Sequence, residues 1–214
     1  MYQNRNNIGK FWPIPRKGTK YLAVSSHNKR ESIPLIVVLR DVLKTVRTKK
    51  ELRKALNEKQ ILINGKEIRE TNYPVSLFDV LSVGNKNYRA TLSKHKKTMF
   101  EEISDKESSA KTIKVIGKKL IKGNNVQVNL LYGGNVIIKD EVNVDDSIVL
   151  NFKNNKVERI IKMEKGKTAY VIKGRHTGEK GKIESIEEIG GRKIAKIDSD
   201  KKVNVWIKNI IVME

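Results

Sequence analysis

The sequence predicts an α+β multi-module chain: two short helices and a hairpin, followed by two small antiparallel β domains. Three observations carry this expectation. Apolar residues recur at three- and four-residue spacing between Leu35 and Leu56. An Asn64-Gly65 pair stands between two apolar runs, the strongest short-range hairpin signal. Beyond residue 112, short alternating runs are divided by the turn pairs Gly133-Gly134, Asp145-Asp146 and Asn154-Asn155, the rhythm of small β domains.

Residues 1–31 come before any of these signals. They hold Arg5, Lys10, Arg16, Lys17, Lys20, Lys29 and Arg30, no carboxylate side chain before Glu31, and the breakers Gly9, Pro13, Pro15 and Gly18. Such a segment reads as a basic extended arm that orders on a polyanion, where phosphates offset its self-repulsion. Phe11, Trp12 and Tyr21 among the cations offer stacking faces beside phosphate-binding charges.

Residues 32–86 make the first folded unit. Leu35, Val38, Leu39, Val42, Leu43 and Val46 define a core-facing helix, with Pro34 tolerated in its first turn. Thr48 and Glu51 have capping-box spacing, and Leu52, Ala55 and Leu56 give a second helix whose polar positions carry Lys49, Lys50, Arg53 and Lys54. Ile61 to Ile63, the Asn64-Gly65 turn and Lys66 to Ile68 predict a type I′ hairpin, and the run Phe78 to Val83 closes a small sheet. Residues 87–111 show little periodicity and read as a linker with a leading strand. Residues 112–164 then read as a central β domain, and 165–214 as a second small β-barrel with Gly174, Gly178 and Gly181 in one basic loop.

Charge narrows the partner. Lys plus Arg number 45 against 24 Asp plus Glu, a formal +21, far more than solubility needs, which implies a polyanion. The longest apolar stretch, Ile33 to Leu39, is much too short to span a bilayer, and no apolar segment follows the polar N-terminus as in a signal peptide, so an intracellular soluble protein is expected. The absence of Cys excludes disulfides, thiol catalysis and cysteine zinc sites.

No catalytic constellation is legible. Gly166-Lys167-Thr168 resembles the end of a phosphate-binding loop, but Ile161 stands where the leading glycine is required. Gly174, Gly178 and Gly181 do not fit dinucleotide-binding spacing. His27, His95 and His176 have no metal-ligand partner at helical or strand spacing, and Asp145-Asp146 is better explained as a turn than as an acid pair. No enzyme, metal or cofactor is expected.

Several of these segments carry a family likeness. Trp12-Pro13-Ile14-Pro15-Arg16-Lys17-Gly18, then Ser32-Ile33-Pro34-Leu35 and Val38-Leu39-Arg40-Asp41-Val42-Leu43-Lys44, resemble the N-terminal signature of the e-type S-four family of the archaeal and eukaryotic small ribosomal subunit. The unit with Asn64-Gly65-Lys66 and Phe78 to Val83 is similar to the small S-four RNA-binding domain. The Gly174, Gly178, Gly181 segment resembles the KOW motif, which implies an SH3-like barrel for 165–214. The likeness runs over nearly the whole chain but is poor from Arg89 to Lys111. The chain also departs from the family's pattern at Ser25-Ser26-His27-Asn28 and at Trp206.

The resemblance implies a cytoplasmic structural constituent of the small ribosomal subunit, with small-subunit rRNA and neighbouring ribosomal proteins as partners and no membrane or small-molecule substrate. The expected RNA contacts are Trp12, Arg16, Lys17, Arg30, Arg47, Lys49, Lys50, Arg53, Lys54, Lys66 and Arg69, with Lys173, Arg175, His176 and Lys180 in the glycine loop. Two other readings remain open at this point: a KOW-type transcription-elongation or RNA-chaperone protein, and an RNA-modifying enzyme, for which no catalytic domain is visible.

Overall fold

The structure is a computed structural model that describes residues 2–121, 123, 125–199 and 202–213. The chain divides into two compact units, one ending at Ser109 and the other beginning at Ala110. It is mostly β, built of several small antiparallel sheets with few helices, which corrects the expected α+β balance. Two local causes account for the shift: the first helix is shorter than its apolar spacing suggests, and the expected linker is strand.

The N-terminal segment is not an arm. Strands β1 (Tyr2–Asn4) and β2 (Tyr21–Ala23) pair antiparallel, and the loop between them carries Trp12 into the core at 2% exposure. Phe11, Ile14 and Leu22 pack there too, enough apolar area to fold a segment without carboxylates. Arg5 holds the loop by donating to the carbonyls of Pro15 at 2.6 Å and Thr19 at 2.8 Å.

β3 (Ile33–Pro34) pairs with β6 (Pro74–Val75) and leads into α1 (Leu35–Val37), which continues as a π-helical turn over Val38–Val42. The helix stops there because Lys44 turns left-handed, at φ 56°, and the Thr45 amide folds back onto the Leu39 carbonyl at 2.9 Å. Leu43 and Val46 still reach the core, which is why their spacing looked helical. Helix α2 (Lys49–Asn57) begins at the expected capping box, with Leu52 and Leu56 buried beneath it.

β4 (Ile61–Ile63) and β5 (Lys66–Glu67) are joined through Asn64 and Gly65, both at positive φ as a type I′ turn requires. They belong to a five-stranded sheet of order β5-β4-β7-β8-β9, with β7 at Val80–Val83, β8 at Lys86–Leu92 and β9 at Thr98–Ile103. The expected linker 87–111 is therefore largely a pair of strands. Tyr88, Ala90 and Phe100 face the core, but charged neighbours such as Arg89, Glu101 and Glu102 dilute the alternation.

In the second unit, β10 (Ala110–Ile121), β11 (Asn125–Leu130), β12 (Asn135–Ile138), β13 (Ser147–Asn151) and β14 (Val157–Ile161) form a sheet of order β12-β11-β10-β13-β14. A second sheet, of order β18-β17-β16-β15-β19, uses β15 (Thr168–Val171), β16 (Lys180–Ile189), β17 (Arg192–Asp198), β18 (Lys202–Trp206) and β19 (Ile210–Val212). Each sheet has its own apolar core. Lys114 fastens the two: at 2% side-chain exposure its ammonium donates to the carbonyls of Ile207 at 2.5 Å and Ile210 at 2.9 Å and pairs with Asp145 at 2.9 Å. The Ser147 hydroxyl adds a second tie, accepting from the Val212 amide at 3.0 Å.

Candidate nucleic-acid interface

The first unit gathers cations from segments far apart in sequence. On α2 the capping box fixes the first turn: the Glu51 amide donates to Thr48 Oγ1 at 3.2 Å, and the Glu51 carboxylate accepts from the amides of Arg47 at 2.7 Å and Thr48 at 3.4 Å. Those backbone donors, Arg47 first, hold the Glu51 carboxyl below the usual carboxylate range. With Leu52 and Leu56 turned inward, Lys49, Lys50, Arg53 and Lys54 stand exposed on the other positions. Lys54 has only a loose, exposed pairing with Glu58 at 3.8 Å, so its charge remains accessible to phosphate.

Arg53 also lines a cleft of about 450 Å³ shared with Lys29 and Arg69, whose other walls include Ser25, Ser26 and Asn72. The Ser26 amide donates to the Asn72 carbonyl at 3.0 Å across this region, fixing the N-terminal loop against the segment after the hairpin. Arg30 and Lys66 are exposed on the same unit but line neither this cleft nor the next one, and Arg47 contributes its backbone to the cap.

A second cleft, of about 650 Å³, lies between the N-terminal loop and the β8–β9 turn. Arg5, Lys10, Arg16, His95, Lys96 and Lys97 line it, with no carboxylate among the lining residues. Lys97 donates to the Trp12 carbonyl at 3.0 Å, and the Thr98 amide to the Phe11 carbonyl at 2.8 Å, so the turn is bound to the loop. The expected set omits Arg5 and Lys10, which lie in the segment read as an arm, and His95, Lys96 and Lys97, because 94–97 reads as linker. The missed signal was the run Lys94-His95-Lys96-Lys97 between two apolar-alternating segments.

Trp12 is corrected outright: at 2% exposure its ring is a core element and offers no face to a base. Tyr2 and Tyr21 are exposed aromatics of this segment, at 71% and 57%, and the Lys20 ammonium lies 5.4 Å from the Tyr21 ring centre. Arg16 and Lys17 are exposed, on the loop that Arg5 braces.

In the second unit the glycine loop joins β15 to β16. Gly174 and Gly178 stand at φ 104° and 91°, open to glycine at no steric cost. The Thr177 hydroxyl donates to the Gly174 carbonyl at 2.8 Å, and His176 Nδ1 lies 3.0 Å from the Glu179 carboxylate, closing a compact turn. Lys173, Arg175 and Lys180 are exposed around it, while His176 is half-buried and held by Glu179. Gly181 has a different need: a Cβ there would lie 2.3 Å from the Asp198 carbonyl oxygen, so the strands approach only through glycine.

Catalytic and metal readings find no geometry here. Asp146 is 4% exposed, and its carboxylate accepts from the Asn143 amide at 2.9 Å and the Met163 amide at 3.0 Å, while Asp145 is the partner of Lys114. Among the described residues no cluster of three His, Cys, Asp or Glu could hold a metal, and no helix is long and apolar enough to cross a membrane.

Comparison with known proteins bears on the whole chain. The sequence model of Ribosomal family S4e matches residues 84–157, including the whole stretch from Arg89 to Lys111 where the resemblance by eye is poor. The KOW motif matches residues 165–188. The small ribosomal subunit protein eS4 of Methanosphaera stadtmanae is 34% identical over 183 residues, 83% of this chain and 76% of that protein. Its counterpart from Nanoarchaeum equitans is 30% identical over 213 residues, 95% of this chain and 91% of that protein. The crystal structure of the 30S ribosomal protein S4e from Thermoplasma acidophilum superposes with a TM-score of 0.75 at 25% identity, covering 86% of this chain and 96% of that one. With sequence, motif order and fold all in agreement, the chain belongs to the ribosomal S4e family.

Proposed function

We propose that this protein is a non-enzymatic structural constituent of the small ribosomal subunit in the cytoplasm, binding small-subunit rRNA and resting against neighbouring ribosomal proteins. The observation that carries the reading is the likeness to eS4 proteins, over 95% of the chain for that of Nanoarchaeum equitans, joined to a surplus of cations. Residues 32–86 act as an S-four-like RNA-binding unit and residues 165–214 as an SH3-like KOW barrel.

Contact is divided among sparse basic patches. Lys49, Lys50, Arg53 and Lys54 meet phosphates along α2, Arg69 and Arg30 extend that face, and Lys66 meets them at the hairpin. Arg16 and Lys17 act from a packed loop, with the carboxylate-free cleft beside them as a backbone channel. Lys173, Arg175, His176 and Lys180 supply a separate contact in the second unit. Each patch reads phosphate and RNA shape, since no base-reading pattern accompanies the charges.

Filter binding of the full chain to refolded small-subunit rRNA across a salt series tests this. If six to ten phosphates are neutralised, affinity falls about a thousandfold or more between low and moderately high salt. Absence of binding at low salt, or an affinity indifferent to salt, would overturn the proposal.

A further inference from the structure

The two tryptophans of the chain live in opposite surroundings: Trp12 is 2% exposed and Trp206 is 38% exposed. An indole left more than a third exposed on a folded β unit forgoes part of its burial, so its surroundings are informative. Trp206 ends β18, an edge strand of its sheet, and its cross-strand neighbour on β17 is Ile194. The guanidinium carbon of Arg192 lies 5.4 Å from the indole centre and the Lys208 ammonium 5.0 Å from it. Both cations are drawn to the negative face of the ring.

Two other cations of this sheet are neutralised, Lys196 by Glu187 at 2.6 Å and Lys202 by Glu184 at 2.7 Å. Among the described residues Arg192 and Lys208 have no such carboxylate, so the aromatic stands in a locally positive field. The site also adjoins the KOW loop: the Asn209 carbonyl, one residue past Lys208, accepts from the Ile172 amide at 2.8 Å, immediately before Lys173 and Gly174.

We infer that Trp206, with Arg192 and Lys208, is a stacking platform for one unpaired nucleobase of an RNA strand whose flanking phosphates the two cations hold. The inference rests on the rRNA-binding reading and adds a base contact to it. Every base has a π face, so the platform is tolerant of sequence, and the ring face that now attracts a cation is the one a base would take. The displaced cation then turns to the adjacent phosphate, which keeps its charge compensated. An acidic protein partner would use the charges but not the ring.

The test titrates the full chain with single-stranded oligoadenylate of roughly eight nucleotides and, separately, with inorganic polyphosphate, following tryptophan emission. Buried Trp12 contributes a constant background. Oligoadenylate is expected to quench the emission and polyphosphate to leave it nearly unchanged. Trp206→Ala should weaken oligoadenylate binding about tenfold and abolish the quenching, and Trp206→Phe should recover most of the affinity. Equal oligoadenylate affinity for the wild type and Trp206→Ala, or equal quenching by polyphosphate, overturns the platform. Parallel binding of wild-type chain to small-subunit rRNA separates the two ideas: rRNA binding without the tryptophan effects sinks the platform alone, and loss of both sinks the rRNA reading.

Discussion

Asn64 and Asp79 hold the hairpin of the first unit to the strand beside it: the Asn64 amide donates to the Asp79 carboxylate at 2.8 Å, and its own side-chain oxygen accepts from the Val80 amide at 2.9 Å. The other Asp79 oxygen accepts from the Ser76 amide at 2.7 Å, so one carboxylate aligns two turns. Asn64 is thus bound twice, by its left-handed φ of 52° and by its side chain.

Replacing Asn64 by Ala keeps the burial but strains the turn and orphans the Val80 amide. The first unit should lose about 2 kcal/mol, read as a lower urea midpoint with an unchanged slope. A loss under about 0.5 kcal/mol would show that neither the side-chain bonds nor the left-handed backbone of Asn64 carries the link.

Glu51 gives the first unit an acid-sensitive cap. Its folded-state pKa is depressed by the Arg47 amide and the other cap donors, so its stabilisation is present above the ordinary glutamate value and is lost as pH falls through the lowered one. Helicity of α2, followed by amide exchange at Leu52 to Leu56, should weaken over that acidic window. Glu51→Gln, which still satisfies a capping box, should remove the pH dependence.

Lys114 joins the two sheets of the second unit. Burial, the largest influence, holds its ammonium below the ordinary lysine value despite the Asp145 pairing. Lys114→Met leaves Asp145 and two carbonyls without their donor and should destabilise this unit by about 2–3 kcal/mol. Because the folded chain holds this proton less tightly than the unfolded one, wild-type stability relative to Lys114→Met rises with pH between the lowered and ordinary values. Thermal melts of the two proteins from neutral to alkaline pH measure both effects.

The α2 cations should act as phosphate contacts of nearly equal weight. Changing Lys49, Lys50 and Lys54 together to Gln leaves the helix cap and core untouched. It should weaken rRNA binding at low salt and flatten the salt dependence by about one phosphate per lysine. An unchanged slope would remove α2 from the interface.

Local signals in the sequence are read well where a short-range rule governs them. Thr48 with Glu51 and Asn64 with Gly65 are satisfied within a few residues, and both form as their spacing implies. What fails depends on distant partners. Trp12 reads as a stacking residue until Leu22 and the first core claim it, and residues 87–111 read as linker because Glu101 and Arg89 mask the strand face carried by Tyr88, Ala90 and Phe100. Lys114 looks like one more surface cation, since only the fold brings Ile207 and Ile210 to it. For the candidate interface, the α2 and glycine-loop cations are legible from charge and motif. The cleft joining Arg16 to Lys96 is not, because its walls lie about eighty residues apart in sequence.

The most direct measurement of the central claim is the distribution of the native protein across a sucrose gradient of cell lysate, with and without a moderate-salt wash. Stoichiometric migration with small ribosomal subunits that survives the wash is the predicted result. Migration free at the top of the gradient, or with RNA polymerase, would contradict it.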